Sequence, residues 1–265
     1  MNESVLPTLE LSNLSLGIGK ECKINSLNFK VFPGERVCLL GASGSGKSLT
    51  ARAATGTLPE ACRVSGEIWV NGENVTYQPA LARKPASRVA AVFQDSAVAL
   101  NPLVRTGKQL AMAAGYTTAD SLTQMLNKAG LGDIPDLLRR YPAELSGGQR
   151  QRLCTVLALL SRSALLVADE PTTALDVIAQ RQIIELLLQR YAQPNAPALL
   201  FITHDIAVAA QLCQRGLVLE HGQLVESASM TQLLNAPRHP YTRRLVGAAL
   251  RNSAAVFADA EVKAG

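Results

Sequence analysis

The stretch Gly41-Ala42-Ser43-Gly44-Ser45-Gly46-Lys47-Ser48 constrains this chain more than any other. It fits the spacing G-x-x-x-x-G-K-[ST] position for position, and that loop works only between a buried strand and a helix N-terminus. Its flanks offer both. Val37-Cys38-Leu39-Leu40 is a continuous apolar run, and Lys47 to Thr55 holds neither Gly nor Pro. Glycines at 41, 44 and 46 let the backbone curl until several N–H groups face one point, where the positive end of the helix dipole adds to the field. Such a nest takes phosphate oxygens. Lys47 is placed to reach β- and γ-phosphates as a point charge, and the Ser48 hydroxyl to ligate Mg2+. A flexible glycine-serine turn would need none of this context. The expectation is an α/β fold with a nucleoside triphosphate site.

A chain of 265 residues can bury a full core, as one large α/β domain or a domain with a small subdomain. It has no run of about 18 apolar residues, so no helix across a bilayer is expected. Met1-Asn2-Glu3-Ser4 lacks the basic and apolar regions of a secretory signal. The cysteines at 22, 38, 62, 154 and 213 have no C-x-x-C pairing, which points to reduced thiols in the cytosol and away from a metal cluster. The net charge of +5 is spread along the chain and reads as a solvated surface, with no nucleic-acid patch.

Residues 8–31 alternate weakly, through Leu9, Leu11, Leu14 and Leu16 and then Leu27, Phe29 and Val31, as half-buried antiparallel strands do. Gly66 to Val70 followed by Asn71-Gly72 predicts a hairpin with a type I′ turn. Arg88 to Phe93 reads as a further strand stopping at Gln94. From about residue 95 the pattern turns helical: Leu122, Met125, Leu126 and Ala129 recur at i, i+3, i+4 and i+7. A helical insertion between α/β elements is the economical reading.

Leu145-Ser146-Gly147-Gly148-Gln149 is a second anion-binding signal. Ser146 and Gln149 have capping-box spacing, so a helix starts here. Two glycines in its first turn cost ~1 kcal/mol each relative to Ala, which implies a close approach to the backbone. Ala164 to Ala168 reads as a buried parallel strand ending in Asp169-Glu170, whose side chains must diverge. At the carboxyl edge of an open sheet, Asp169 would hold Mg2+ through water and Glu170 would face the γ-phosphate. Asp176 starts a helix running to about Arg190. Ala198 to Ile202 is another buried strand, and His204, just beyond it, is one of three histidines in the chain. A histidine at the tip of a core strand reads as a site residue. Leu217 to Val225 closes as a hairpin about His221-Gly222, and the tail after 229 looks helical with breaks at Pro237 and Pro240.

Taken together in this order, the motifs resemble those of the nucleotide-binding subunit of an ABC (ATP-binding cassette) transporter over essentially the whole chain. Gly41–Ser48 matches Walker A, Gln94 the Q-loop glutamine, and Leu145–Gln149 the LSGGQ signature. Asp169 matches the Walker B aspartate, Glu170 the catalytic glutamate, Asp176 the D-loop aspartate and His204 the switch histidine. The resemblance implies a P-loop NTPase fold with a RecA-like core, an antiparallel β subdomain and a helical signature subdomain. It implies a cassette over 1–250 with the helical subdomain at about 95–160, and a C-terminal helical tail over 229–265. ATP would lie against Gly41 to Leu49, with Ser146, Gly147, Gly148, Gln149 and Asp176 contributed across a pair of cassettes. Mg2+ would be held by Ser48, Gln94 and Asp169; Glu170, His204 and Gln94 would serve catalysis. The family's adenine-stacking ring is missing near Leu16-Gly17-Ile18-Gly19, so the base would rest on an aliphatic side chain such as Ile18 and forgo the ~1 kcal/mol of aromatic stacking. That leaves GTP use open.

Two further segments, Phe93 to Leu103 and the His239-Pro240-Tyr241-Thr242 tail, resemble the peptide and nickel importers, with chain length nearest the nickel-type D subunit. The expected partners are a second cassette, two membrane permease subunits and a substrate-binding protein, at the cytoplasmic face of a bacterial inner membrane. The expected cargo is nickel or a metal chelate, with peptides as the alternative. A P-loop kinase would explain Gly41–Ser48 but neither the signature nor His204. A chromosome-organising ATPase would carry a long coiled coil, and no heptad run of that kind occurs. A stand-alone cytosolic cassette remains the rival from another class.

Overall fold

The leucine spacing of the first thirty residues breaks step between Leu11 and Leu14, and the backbone gives the reason. The computed structural model describes residues 5–95, 99–115 and 117–249. In it β1 (Leu9–Ile18) and β2 (Glu21–Val31) pair antiparallel, with a register shift between Leu11 and Leu14. Asn13 and Ser26 take positive φ of 48° and 50° there. The bulge resets the alternation so that Leu9, Leu11, Leu14 and Leu16 all face inward.

β3 (Arg36–Leu40) and α1 (Lys47–Thr55) flank the phosphate loop as expected. β4 (Cys62–Val70) returns through Asn71 and Gly72, with φ of 48° and 75°, into β5 (Glu73–Asn74), the positive-φ pair of a type I′ turn. These strands make a four-stranded sheet in the order β2-β1-β4-β5. The edge strand β6 is only Ala90–Val92, shorter than the predicted Arg88 to Phe93, because the backbone N–H of Arg88 closes a 3-10 turn onto the Pro85 carbonyl at 3.4 Å instead of entering the ladder.

Then come α2 (Thr106–Ala114), α3 (Ala119–Lys128) and α4 (Gly147–Leu160), followed by β7 (Leu165–Asp169) and α5 (Val177–Tyr191). The chain continues through β8 (Ala198–Ile202), α6 (Ile206–Leu212), β9 (Arg215–Glu220), β10 (Gln223–Ser229) and α7 (Met230–Asn235), and residues 240–249 form a last described helix, α8. Cys213 lies just past α6 in extended backbone and is buried. The reading made at Met1–Ser4, the 250–265 part of the expected helical tail, and the Ser96–Val98 part of the segment after Gln94 fall outside the described residues.

The second sheet runs β10-β9-β3-β8-β7-β6, parallel except for the antiparallel β10. Alternate residues of its strands feed two separate cores. Val37, Leu39, Leu165, Val167, Leu200 and Ile202 pack with α1 and the four-stranded sheet. Cys38, Leu40, Leu166, Ala168, Leu199 and Phe201 pack with α4, α5 and the leucines of the helical segment, including Leu110 and Leu126. Burial on both faces is why these strands read as continuous apolar runs. β3, β7 and β8 end at one edge, which gathers Gly41, Asp169 and His204 from distant parts of the chain.

Candidate nucleotide site

At the end of β3 the backbone enters positions that only glycine fills. Gly44 and Gly46 have φ of 78° and 104°. A Cβ on Gly41 would stand 2.4 Å from the Leu219 carbonyl, and one on Gly46 would stand 2.2 Å from Ile24 Cδ1. Lys47 is 7% exposed and donates from Nζ to the carbonyls of Gly41 and Ala42 at 2.8 and 3.0 Å. Burial pushes its pKa down, against the opposing charges of Glu170 and Asp169. A desolvated ammonium beside a ring of backbone N–H groups gains from an anion. The Ser45 hydroxyl, in the same loop, is buried with no hydrogen-bond partner.

The two acids at the end of β7 diverge. Asp169 is 4% exposed and accepts from the Ser48 hydroxyl at 3.2 Å. Burial raises its pKa, with the Ser48 hydrogen bond opposing. Glu170 sits at φ 49° with its N–H donating to the Ile202 carbonyl at 2.9 Å, so the chain kinks between the two residues. Its carboxylate accepts from the Thr173 hydroxyl at 2.8 Å and meets His204 Nδ1 at 3.2 Å. Burial pushes Glu170 up, but Thr173, His204 and the charge of Lys47 together bring it below the ordinary glutamate value. One carboxylate thus faces the hydroxyl of the loop and the other an imidazole. Ser48 with Asp169 is a pair of hard oxygen donors, the chemistry Mg2+ takes when phosphates and water complete its shell.

A cleft of about 530 Å3 opens over the loop. Ser43, Gly44, Gly46, Lys47, Ser48 and Leu49 line it from the loop and α1; Gln94, Glu170 and His204 line it from the ends of β6, β7 and β8. Ile18, 40% exposed at the tip of β1, offers it an aliphatic surface. Gln94 and Ser48 also border a second cleft of about 590 Å3 that reaches Asp169. Sequence reasoning missed Lys23, which lines the first cleft, and Thr173. Lys23 carries no motif; the β1–β2 register alone brings it there. Thr173 was legible as a hydroxyl three residues after Glu170 on a turn.

Ser146, Gly147, Gly148, Gln149 and Asp176 do not line this cleft. The capping box forms: Gln149 N donates to Ser146 Oγ at 3.2 Å and Ser146 N to Gln149 Oε1 at 2.9 Å. Outside its own helix turn, a Cβ on Gly147 would meet no atom of the described residues within 4 Å, so packing among those residues does not require that glycine. A Cβ on Gly148 would stand 3.4 Å from Leu175 Cδ2, and Asp176 caps α5 by accepting from Ala179 N at 2.8 Å. The signature helix is tied to the loop carrying Gln94 through Gln151 Nε2, which donates to the Phe93 carbonyl at 3.2 Å.

A family model described as "ABC transporter" matches residues 24–173, from β2 through the phosphate loop and the signature to Thr173. The chain belongs to the ABC transporter family. It is an ATP-binding, ATP-hydrolysing member. A probable peptide ABC transporter ATP-binding protein of Sinorhizobium fredii is 40% identical over 84% of this cassette and 70% of its own length. An oligopeptide transport ATP-binding protein of Salmonella typhimurium is 37% identical over 88% of this cassette and 72% of its own length. A peptidoglycan transport ATP-binding protein of Agrobacterium fabrum is 37% identical, and there the chain spans about half, 47%, of the relative. Among solved structures, the ATP binding subunit of an ABC transporter superposes with a TM-score of 0.73 at 24% identity, covering 92% of this cassette and 99% of that chain. A bacterial Atm1-family exporter with ATP bound gives 0.74 at 23% identity, over 89% of this cassette and 41% of that chain. The structural matches establish the fold.

Proposed function

We propose that this cassette hydrolyses ATP to drive uptake of peptides through membrane permease subunits. The observation that supports the ATPase mechanism is the separation of the two anion sites. The phosphate loop and the signature glycines are both built, yet they lie apart in one chain. ATP held at Gly41–Ser48 of one cassette is closed in by Ser146, Gly147 and Gly148 of a second, with Asp176 at the contact. Glu170 acts as general base on the attacking water, His204 steadies the γ-phosphate, and Gln94 with Ser48 and Asp169 would hold Mg2+. A Mg2+ held there would supply charge neutralisation to the phosphates.

The cassette is assigned residues 1–250, with residues 95–160 as a helical subdomain whose movement reaches the permease and 229–265 as the tail. No helix among the described residues is long and apolar enough to cross a membrane. The cassette would meet the membrane at its cytoplasmic face through partners, with a substrate-binding protein delivering the cargo.

Peptide is favoured over the cargo expected from tail and length, nickel or a metal chelate, by the names of the relatives. The Sinorhizobium and Salmonella relatives aligned along most of this chain carry peptide and oligopeptide names. A cassette does not touch its cargo, so neither the tail motif nor the length reports on it. Uptake of a labelled dipeptide and of labelled nickel, compared in cells with and without this chain, tests the reading. Loss of dipeptide uptake alone is expected; loss of nickel uptake alone reverses the assignment. Co-purification with permease chains separates a transporter subunit from a stand-alone cassette.

A further inference from the structure

The peptide joining Gly41 to Ala42, where β3 enters the phosphate loop, is held at both of its polar groups. Its carbonyl accepts from Lys47 Nζ at 2.8 Å, and its N–H donates to the Tyr241 hydroxyl at 2.7 Å. Tyr241 lies 199 residues further along the chain, in the first turn of α8. Its position is itself fixed from three sides. Glu226 of β10 accepts the N–H groups of Arg238 and His239 at 2.9 Å each, which anchors the start of α8. The Arg244 guanidinium stands 5.8 Å from the centre of the Tyr241 ring. Arg244 also meets the Glu220 carboxylate, at the end of β9, at 3.3 Å. The β9–β10 turn bears on the same loop, since Gly222 N donates to the Ser45 carbonyl at 3.1 Å.

We propose that Tyr241 is a positioning residue of the ATP site, orienting the Gly41–Ala42 peptide so that Lys47 is presented to the β- and γ-phosphates. Without the hydroxyl the Ala42 N–H loses its partner, and Gly41, having no Cβ, opposes rotation of the peptide only weakly. The Gly41 carbonyl then no longer fixes the lysine. The C-terminal helix thereby sets nucleotide affinity from outside the motifs that bind nucleotide. This rests on the ATP-binding reading of the cleft.

The test is Tyr241→Phe, which keeps the ring beneath Arg244 and removes only the hydroxyl. The full chain is titrated with mant-labelled ATP and, separately, mant-labelled AMP in the presence of Mg2+, and both Kd and binding stoichiometry are read. One neutral hydrogen bond corresponds to about a 2- to 12-fold change in an equilibrium constant. The ATP Kd should rise within that range at unchanged stoichiometry, while the AMP Kd, which owes nothing to Lys47, stays put. A general loosening of the fold would lower the stoichiometry and leave the Kd alone. An ATP Kd within about twofold of wild type, or equal weakening of ATP and AMP, overturns the assignment. Wild-type chain that fails to bind ATP would instead overturn the reading of the cleft.

Discussion

Replacing Glu170 by glutamine tests the division of labour between the two acids at the end of β7. Both bonding partners of the carboxylate, Thr173 Oγ1 at 2.8 Å and His204 Nδ1 at 3.2 Å, can hydrogen-bond to a carboxamide of the same shape. The kink at φ 49° is unchanged, because it is fixed by the backbone bond to Ile202. Stability should therefore shift by less than ~1 kcal/mol. The basicity is what disappears. The Glu170 pKa lies below the ordinary 4.5, so the wild-type group is a carboxylate at neutral pH and ready to take a proton from water. Losing a positioned base typically lowers the rate by about 10²- to 10⁴-fold, or roughly 3–5 kcal/mol of barrier. The assay is steady-state phosphate release from the assembled complex, run beside ATP binding and sizing. Glu170→Gln should bind ATP with wild-type affinity, accumulate a closed pair and turn over at least about a hundredfold more slowly. Turnover within tenfold of wild type would refute the reasoning. The pH dependence adds a check. Because the folded pKa is depressed, the stability gained from these partners is complete above the ordinary glutamate pKa and lost as pH falls through the lower folded value. Glu170 should thus withdraw no stability from the nucleotide-free chain until pH falls through that lowered value, as melts against pH would read.

Asp169 behaves in the opposite sense. Burial raises its pKa, so its charge costs stability above that raised value, and Asp169→Asn should raise the melting temperature of the nucleotide-free chain while removing the Mg2+-dependent part of its stabilisation by ATP; an unaltered Mg2+ effect in thermal melts counts against the metal role. Gly66→Ala would place a Cβ 2.3 Å from the Asn13 carbonyl at φ 84°, costing about 1–3 kcal/mol in denaturant melts with no change in ATP Kd, and unaltered stability would mean the bulge is soft. The purified chain alone should show little ATPase activity, rising faster than linearly with protein concentration as pairs form; linear, robust activity from a monomer on sizing would dispose of the two-cassette site.

Local order did much of the specifying here. The glycines of Gly41–Ser48, the capping box at Ser146 and Gln149, and the Asn71-Gly72 turn act within a few residues, so their physics is complete in the sequence. The apolar runs around Val37, Val167 and Leu200 likewise announced strands buried on both faces. The weak alternation near Leu11 was ambiguous because a bulge depends on two strands meeting, at Asn13 and Ser26, and neither strand reports the other.

What only the tertiary structure decided are the contacts across long separations. That Glu170 meets His204, that Ser48 meets Asp169, and that Lys23 reaches the cleft follow from sheet order and register, which no local pattern encodes. The tail motif containing Tyr241 was visible in the sequence, but its hydrogen bond to Ala42 was not. A hydrogen bond needs placement to a few tenths of an ångström. Over 199 residues that placement comes from the packing of β9, β10 and α8 around the phosphate loop.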